Sequence, residues 1–146
     1  VEQQEDKKLE ERLVQTGKES LAKPPTWLID ATAKNEFKRL VKEFEKMEID
    51  VIGNLDVNNL GCYCNAFSYY ISVTKQLKKE KKVIIKPTQN GEILVKNPLC
   101  DLQKMYSEEM RKFASMCGLT IDSRLKAATI AREGIDNEIN DEFGDI

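Results

Sequence analysis

The stretch from Lys96 to Ala128, KNPLCDLQKMYSEEMRKFASMCGLTIDSRLKAA, carries a complete helix with both of its end signals and the start of another. The side-chain oxygen of Asn97 can accept from the unpaired N–H groups of a first helical turn, and Pro98 suits the first helical position, where no N–H is needed. Leu99, Leu102, Tyr106, Met110, Phe113 and Cys117 then recur at steps of three or four, which places them in one stripe of a helix. Gly118 can take the left-handed conformation that closes a helix. Thr120 is the next cap, and Asp122 stands in the first turn after it, where a negative charge suits the helix dipole. A two-residue corner between helices commits this region to helix-on-helix packing.

Two further helices precede it. From Trp27 to Met47, Leu28, Ala31, Phe37, Leu40, Val41, Phe44 and Met47 keep helical spacing beneath a charged outer face, with Thr26 as the expected cap after Lys23-Pro24-Pro25. Trp27, the only tryptophan, reads as a packing anchor. Between Ile49 and Leu55 the pair Gly53-Asn54 turns the chain, and Asp56 caps a long helix from Val57 to about Lys79. Its stripe contains Leu60, Tyr63, Phe67, Tyr70, Ile71, Thr74 and Leu77, so an antiparallel helical hairpin results. From Val83 to Lys96 the period changes to that of strands around Asn90-Gly91, which predicts a type I′ β-hairpin with Pro87 at an edge or bulge. Two strands alone are marginal, so this hairpin must pack on the helices or pair with another subunit. The candidates for core or subunit packing are Trp27, Phe37, Leu40 and Phe44, then Tyr63, Phe67 and Tyr70, then Tyr106, Met110 and Phe113.

The organisation expected is an acidic segment at 1–23, a helical domain at 24–133 with the β-hairpin at about 83–96, and an acidic tail at 134–146. The first segment, with Leu9, Leu13 and Val14 as a thin apolar edge, reads either as a frayed helix that docks on a neighbour or as a solvated tail. The last helix is expected to be short, from Ile121 to Glu133, with Gly134 ending it. Beyond it Asp136, Glu138, Asp141, Glu142 and Asp145 have no basic partner, while Ile135, Ile139 and Phe143 keep helical spacing, so the tail can dock on a partner. A charged fraction of 33% against 40% hydrophobic, with a mean hydropathy of −0.51, fits a helical protein that is elongated or exposes much of its surface.

Chemistry is constrained by what is missing. With no histidine there is no Ser-His or Cys-His nucleophile, no imidazole base and no HExxH zinc site. Gly17-Lys18 is not a phosphate loop, since Glu19 stands where Ser or Thr is needed. Cys62, Cys64, Cys100 and Cys117 lie in or beside apolar helical faces, and the Cys-x-Cys pair sends its side chains to different faces, so they read as buried apolar thiols and not as metal ligands. Neither a signal peptide nor a membrane span is apparent, which suggests an intracellular chain with reduced thiols. No catalytic group, metal or cofactor is expected. A third class, an enzyme with paired carboxylates such as Asp101 with Glu108 or Glu109, has the least support.

The net charge of −2 gives no overall attraction to nucleic acid, so binding to it must come from a local patch. One exists. Lys75, Lys78, Lys79, Lys81, Lys82 and Lys86 crowd together with only Glu80 against them. Lysines at a helix end complement the dipole and aid solubility, and they equally make a phosphate-contacting surface without base specificity. Composition alone leaves both readings open.

The order of signals resembles the small-subunit family of bacteriophage terminases from Lys23 to about Ala128. The features that carry it are Trp27 before the first helix, Asp56 and Tyr63 in the long helix, Thr88 with Gly91, Asn97-Pro98, and Leu119-Thr120 followed by Ser123-Arg124. Phe37, Cys117 and Ile121 depart from the family pattern while keeping its apolar character. The resemblance implies a mainly α protein that assembles as a ring-like homo-oligomer. Such a protein binds double-stranded viral DNA in the host cytoplasm and recruits a large terminase subunit, which carries the ATPase and nuclease. On this reading the lysine run and, on the last helix, Arg124 and Lys126 are the candidate DNA contacts, and the acidic tail is a candidate surface for the large subunit. The alternative is a helical adaptor that binds only protein.

Overall fold

The computed structural model describes residues 1–5, 17–47 and 51–143. Leu9, Leu13 and Val14 of the N-terminal edge, Ile49 of the interhelical turn and Asp145 of the tail lie outside the described residues. The elements are a 3₁₀ turn (Glu19–Leu21), α1 (Ala31–Glu45), a second 3₁₀ turn (Asn54–Asp56), α2 (Val57–Lys79), β1 (Val83–Thr88), β2 (Gly91–Lys96), α3 (Pro98–Met116) and α4 (Ile121–Phe143). The protein is mainly helical with one small antiparallel sheet.

α1 starts later than expected, because Asp30 and not Thr26 caps it. The Asp30 Oδ1 accepts from the Ala33 N–H at 2.9 Å, and its Oδ2 accepts from the Ser68 hydroxyl of α2 at 2.6 Å. Asn65 of α2 accepts from the Ile29 N–H at 3.0 Å, just after a turn in which the Leu28 N–H donates to the Pro25 carbonyl at 3.3 Å. These tertiary partners decide the helix start, and Thr26 has no counterpart to them. α1 then lies antiparallel to α2. Phe37, Leu40 and Phe44 meet Leu60 and Cys64, with Leu21, Leu28, Ile52 and Cys117 completing the buried core.

Trp27 is an anchor of a different kind from the one expected, being 45% exposed. Its ring lies flat over α2 at Gly61, where an added methyl group would overlap the indole.

α3 runs back along α2. The Tyr69 and Tyr106 rings stack with centroids 5.0 Å apart, and Gln103 donates to the Thr74 hydroxyl at 3.0 Å. Of the α3 stripe, Cys117 at its end is buried, Leu99, Tyr106, Met110 and Phe113 are half-buried, and Leu102 is exposed. Tyr63, Phe67 and Tyr70 of α2 are half-buried as well. Gly118 closes α3 at φ +73°, as its position in the sequence predicts. Thr120 and Ser123 then cap α4 reciprocally: Thr120 Oγ1 accepts from the Ser123 N–H at 3.2 Å, and Ser123 Oγ accepts from the Thr120 N–H at 3.3 Å.

Three local expectations are corrected. Asp56 stands at the start of α2 but does not cap it with its side chain, which accepts from the Gly53 N–H at 2.8 Å in the preceding 3₁₀ turn. The hairpin pairs Thr88 with Gly91, so Gln89-Asn90 is its two-residue loop, and neither has positive φ. The turn is therefore not type I′. Gly91, at φ +114°, supplies the positive-φ residue just after the loop, and the ladder runs on from it in unbroken register. Gly134 does not end the last helix either, since α4 continues to Phe143. A single glycine costs a helix only about 1 kcal/mol, and it stops one chiefly by adopting positive φ, which Gly134 does not.

Candidate nucleic-acid interface

The C-terminal turn of α2 carries Lys75, Lys78 and Lys79 outward. The backbone then leaves the helix at Glu80, which is extended at φ −117° and ψ 160°. Lys81 and Lys82 bridge to β1, on which Lys86 projects. All six side chains are exposed, and none forms an ion pair with a described residue. Concentrated positive charge at the carboxyl end of a helix is stabilised by the dipole, so this cluster does not strain the fold.

Asn97 sets the shape of the lysine run. Nearly buried, it caps α3 by accepting from the Leu99 N–H at 3.1 Å. Its amide donates to the Lys81 carbonyl at 3.1 Å and to the Glu80 carboxylate at 3.2 Å, and its own N–H donates to the Lys82 carbonyl at 2.7 Å. One residue thus ties the start of α3 to the connector between α2 and β1. It also directs the one acidic side chain of the run toward itself, leaving the lysines uncompensated. The sequence signalled Asn97 as a cap, but nothing in it showed that the same amide would hold the basic connector some sixteen residues earlier. Lys96, beside it, is occupied: Asp101 lies 2.5 Å from its ammonium, and this hydrogen-bonded carboxylate raises the lysine above its ordinary value.

Arg124 and Lys126 are not brought to this surface. They sit on α4 just past the opposite end of α3, about 27 Å away along a helix of this length. Arg124 is half-buried and donates to the Gly118 carbonyl at 3.2 Å, so its guanidinium helps close the corner. Lys126 is exposed.

Next to the lysine run is an open groove of about 870 Å³ between the end of α2, the hairpin and the start of α3. Its lining is largely apolar, and Val83, Ile85 and Leu94 from one face of the hairpin are exposed in it. This exposure explains why the hairpin sequence is apolar at both odd and even positions: Ile84 and Val95, paired across the ladder, are half-buried on the other face.

Of the four cysteines expected to be buried, Cys64 and Cys117 are, while Cys62 and Cys100 are half-buried. Cys64 and Cys117 share the core, and burial pushes both thiols up to about 12, well away from the thiolate form that acts as nucleophile or ligand. Among the described residues no group of three or more Cys, Asp or Glu side chains is placed to hold a metal ion. Asp101, engaged by Lys96, lies nearly two helical turns from Glu108, which separates the carboxylates considered as a pair. No helix among the described residues is long and apolar enough to cross a membrane.

Comparison with known proteins places these features in context. Residues 33–133 match the family model described as phage terminase, small subunit. The match spans α1, α2, the β-hairpin, α3 and the first half of α4, including the lysine run and Asn97. Comparison with curated proteins and with solved structures gives no match.

Proposed function

Since the chain belongs to the phage terminase small-subunit family, with the role in phage DNA packaging that this family implies, we propose that it is an oligomeric, non-catalytic subunit. In this reading it binds double-stranded viral DNA in the host cytoplasm and recruits the large terminase subunit. The observation that carries it is the run Lys75, Lys78, Lys79, Lys81, Lys82 and Lys86, exposed and without ion-pair partners among the described residues. Six such charges per copy, repeated around a ring, act as one multivalent phosphate-binding surface. Contacts of this kind read the backbone and the shape of the duplex, not its base edges. Arg124 and Lys126 contribute from a separate patch.

Support for a ring comes from apolar surface left open in one copy. The half-buried apolar stripe of Tyr63, Phe67, Tyr70, Tyr106, Met110 and Phe113 awaits a neighbour.

The test joins light scattering with DNA retention over a salt series. Several copies per particle are expected, with affinity falling on a log–log plot by roughly 0.9 for each phosphate contacted. Changing Lys78, Lys79, Lys81 and Lys82 together to Glu should abolish retention and leave the particle size unchanged. A monomer without salt-sensitive retention overturns the proposal. Retention that is negligible from the start and unmoved by charge reversal, in a protein that still oligomerises, favours the helical adaptor instead.

A further inference from the structure

The hairpin groove and the end of α4 are chemically complementary. The groove has Val83, Ile85, Leu94 and Leu99 in its lining, together with Lys81 and with Glu80, whose carboxylate accepts from the Asn97 amide; Lys78, Lys79 and Lys82 are close to these residues in the chain. On α4, Ile135, Ile139 and Phe143 are all exposed and, at about 100° per residue, fall within one stripe of about 80°. Asp136 borders that stripe on one side, and Glu138 and Glu142 border it on the other. From Glu133 to Glu142 there are five acidic residues and no basic one. An apolar ridge with an acidic border thus matches an apolar trough at the edge of the lysine run, where the one lining carboxylate, Glu80, is bonded by Asn97.

Within one copy these surfaces do not meet. The groove lies at the start of α3, whereas α4 departs from its far end as an unbroken helix with few contacts to the rest of the fold. A complementary occupant must therefore come from another copy.

We propose that the acidic end of α4, Ile135 to Phe143, docks into the hairpin groove of a neighbouring copy and covers part of its lysine run, so that α4 and DNA compete for one surface. The proposal rests on the oligomeric, DNA-binding reading above. It gives the packaging subunit a built-in restraint: weak non-specific duplex contacts fail to displace the helix, while a continuous stretch of phosphates across several copies does. The apolar part of the docked contact persists in salt, whereas the phosphate contacts fade.

Full-length protein carrying the photoreactive benzophenone amino acid at Phe143 provides the test. Unlabelled and ¹⁵N-labelled copies are mixed before irradiation, and the cross-linked peptides are read by mass spectrometry. Adducts on residues 83–99 in mixed light–heavy pairs are expected. Adducts confined to one isotope, or lying on another α4 or elsewhere, overturn the docking. A second arm compares DNA affinity at low salt: Ile139→Glu with Phe143→Glu should tighten binding about tenfold without changing particle size. Ile130→Glu, on the opposite side of α4, should leave it unchanged. No gain from the double variant overturns the competition. The two readings fail separately: a monomeric wild type removes the oligomeric reading and this proposal together. An oligomer with steeply salt-dependent DNA binding but no cross-link to the groove removes only the docking.

Discussion

Gly61 shows how one residue can be set by a neighbour distant in sequence. Alanine would favour the helix by about 1 kcal/mol at an interior position. Here, however, its methyl group would displace the Trp27 ring, and the half of that indole now covered is worth about 2–3 kcal/mol. Gly61→Ala should therefore lower stability by about 1–2 kcal/mol and red-shift the emission of the sole tryptophan, and a stabilised variant with unchanged fluorescence would refute the packing. Asp30 carries a pH signature. The Ser68 hydroxyl and then the Ala33 N–H hold its carboxyl below the ordinary value, so the charged form favours the folded state. That contribution is complete above the ordinary aspartate value of about 3.9 and is lost as pH falls through the folded value. Asp30→Asn keeps an oxygen for the cap but does not titrate. The difference in Tm between wild type and Asp30→Asn should be largest at neutral pH and shrink below about pH 4, and a difference constant across that range would exclude the effect.

Among the elements, α3 depends most on its ends. Its capping asparagine and closing glycine could both be read from the sequence, because capping needs particular side chains at particular positions. Asn97 does more than cap, since its amide also bonds the Lys81 carbonyl and the Glu80 carboxylate in a nearly buried position. Asn97→Ala should cost about 2–3 kcal/mol in urea unfolding, more than an exposed cap of about 1 kcal/mol, because the Lys81 carbonyl and the Glu80 carboxylate lose their donor together with the cap. A cost no larger than that of an exposed cap would show that the link to the connector adds nothing. α4 behaves differently. Its capping box defines the start, but no described side chain is buried to enforce the end, and the roughly 1 kcal/mol cost of Gly134 does not stop it.

For the whole molecule, the main buried cluster lies among α1, the first half of α2, the segments that carry Leu21, Leu28 and Ile52, and the corner after α3, with Val73 and Leu77 buried further along α2, while the hairpin and α4 expose apolar side chains at opposite ends. Oligomerisation should therefore protect those two parts most. Amide exchange in Val83–Lys96 and Ile121–Phe143 is expected to slow as protein concentration rises, with α1 and the first half of α2 unaffected. Uniform exchange at all concentrations would count against a subunit interface there.

What the sequence alone determined was local or periodic: the mainly α class, the boundaries of α2 and α3, the hairpin, the corner at Gly118 and the single lysine-rich run. Each follows from residues within a few positions of one another, where hydrogen-bond geometry and helical repeat leave few choices. Only the tertiary structure decided that Asp30 starts α1, that Trp27 packs on Gly61 while staying half-exposed, and that Asn97 turns Glu80 away from the lysines. It alone also tied Arg124 to the Gly118 carbonyl at the corner. These outcomes depend on which surfaces meet in space, and contacts between residues from 6 to 38 positions apart leave no periodic trace in the chain that makes them.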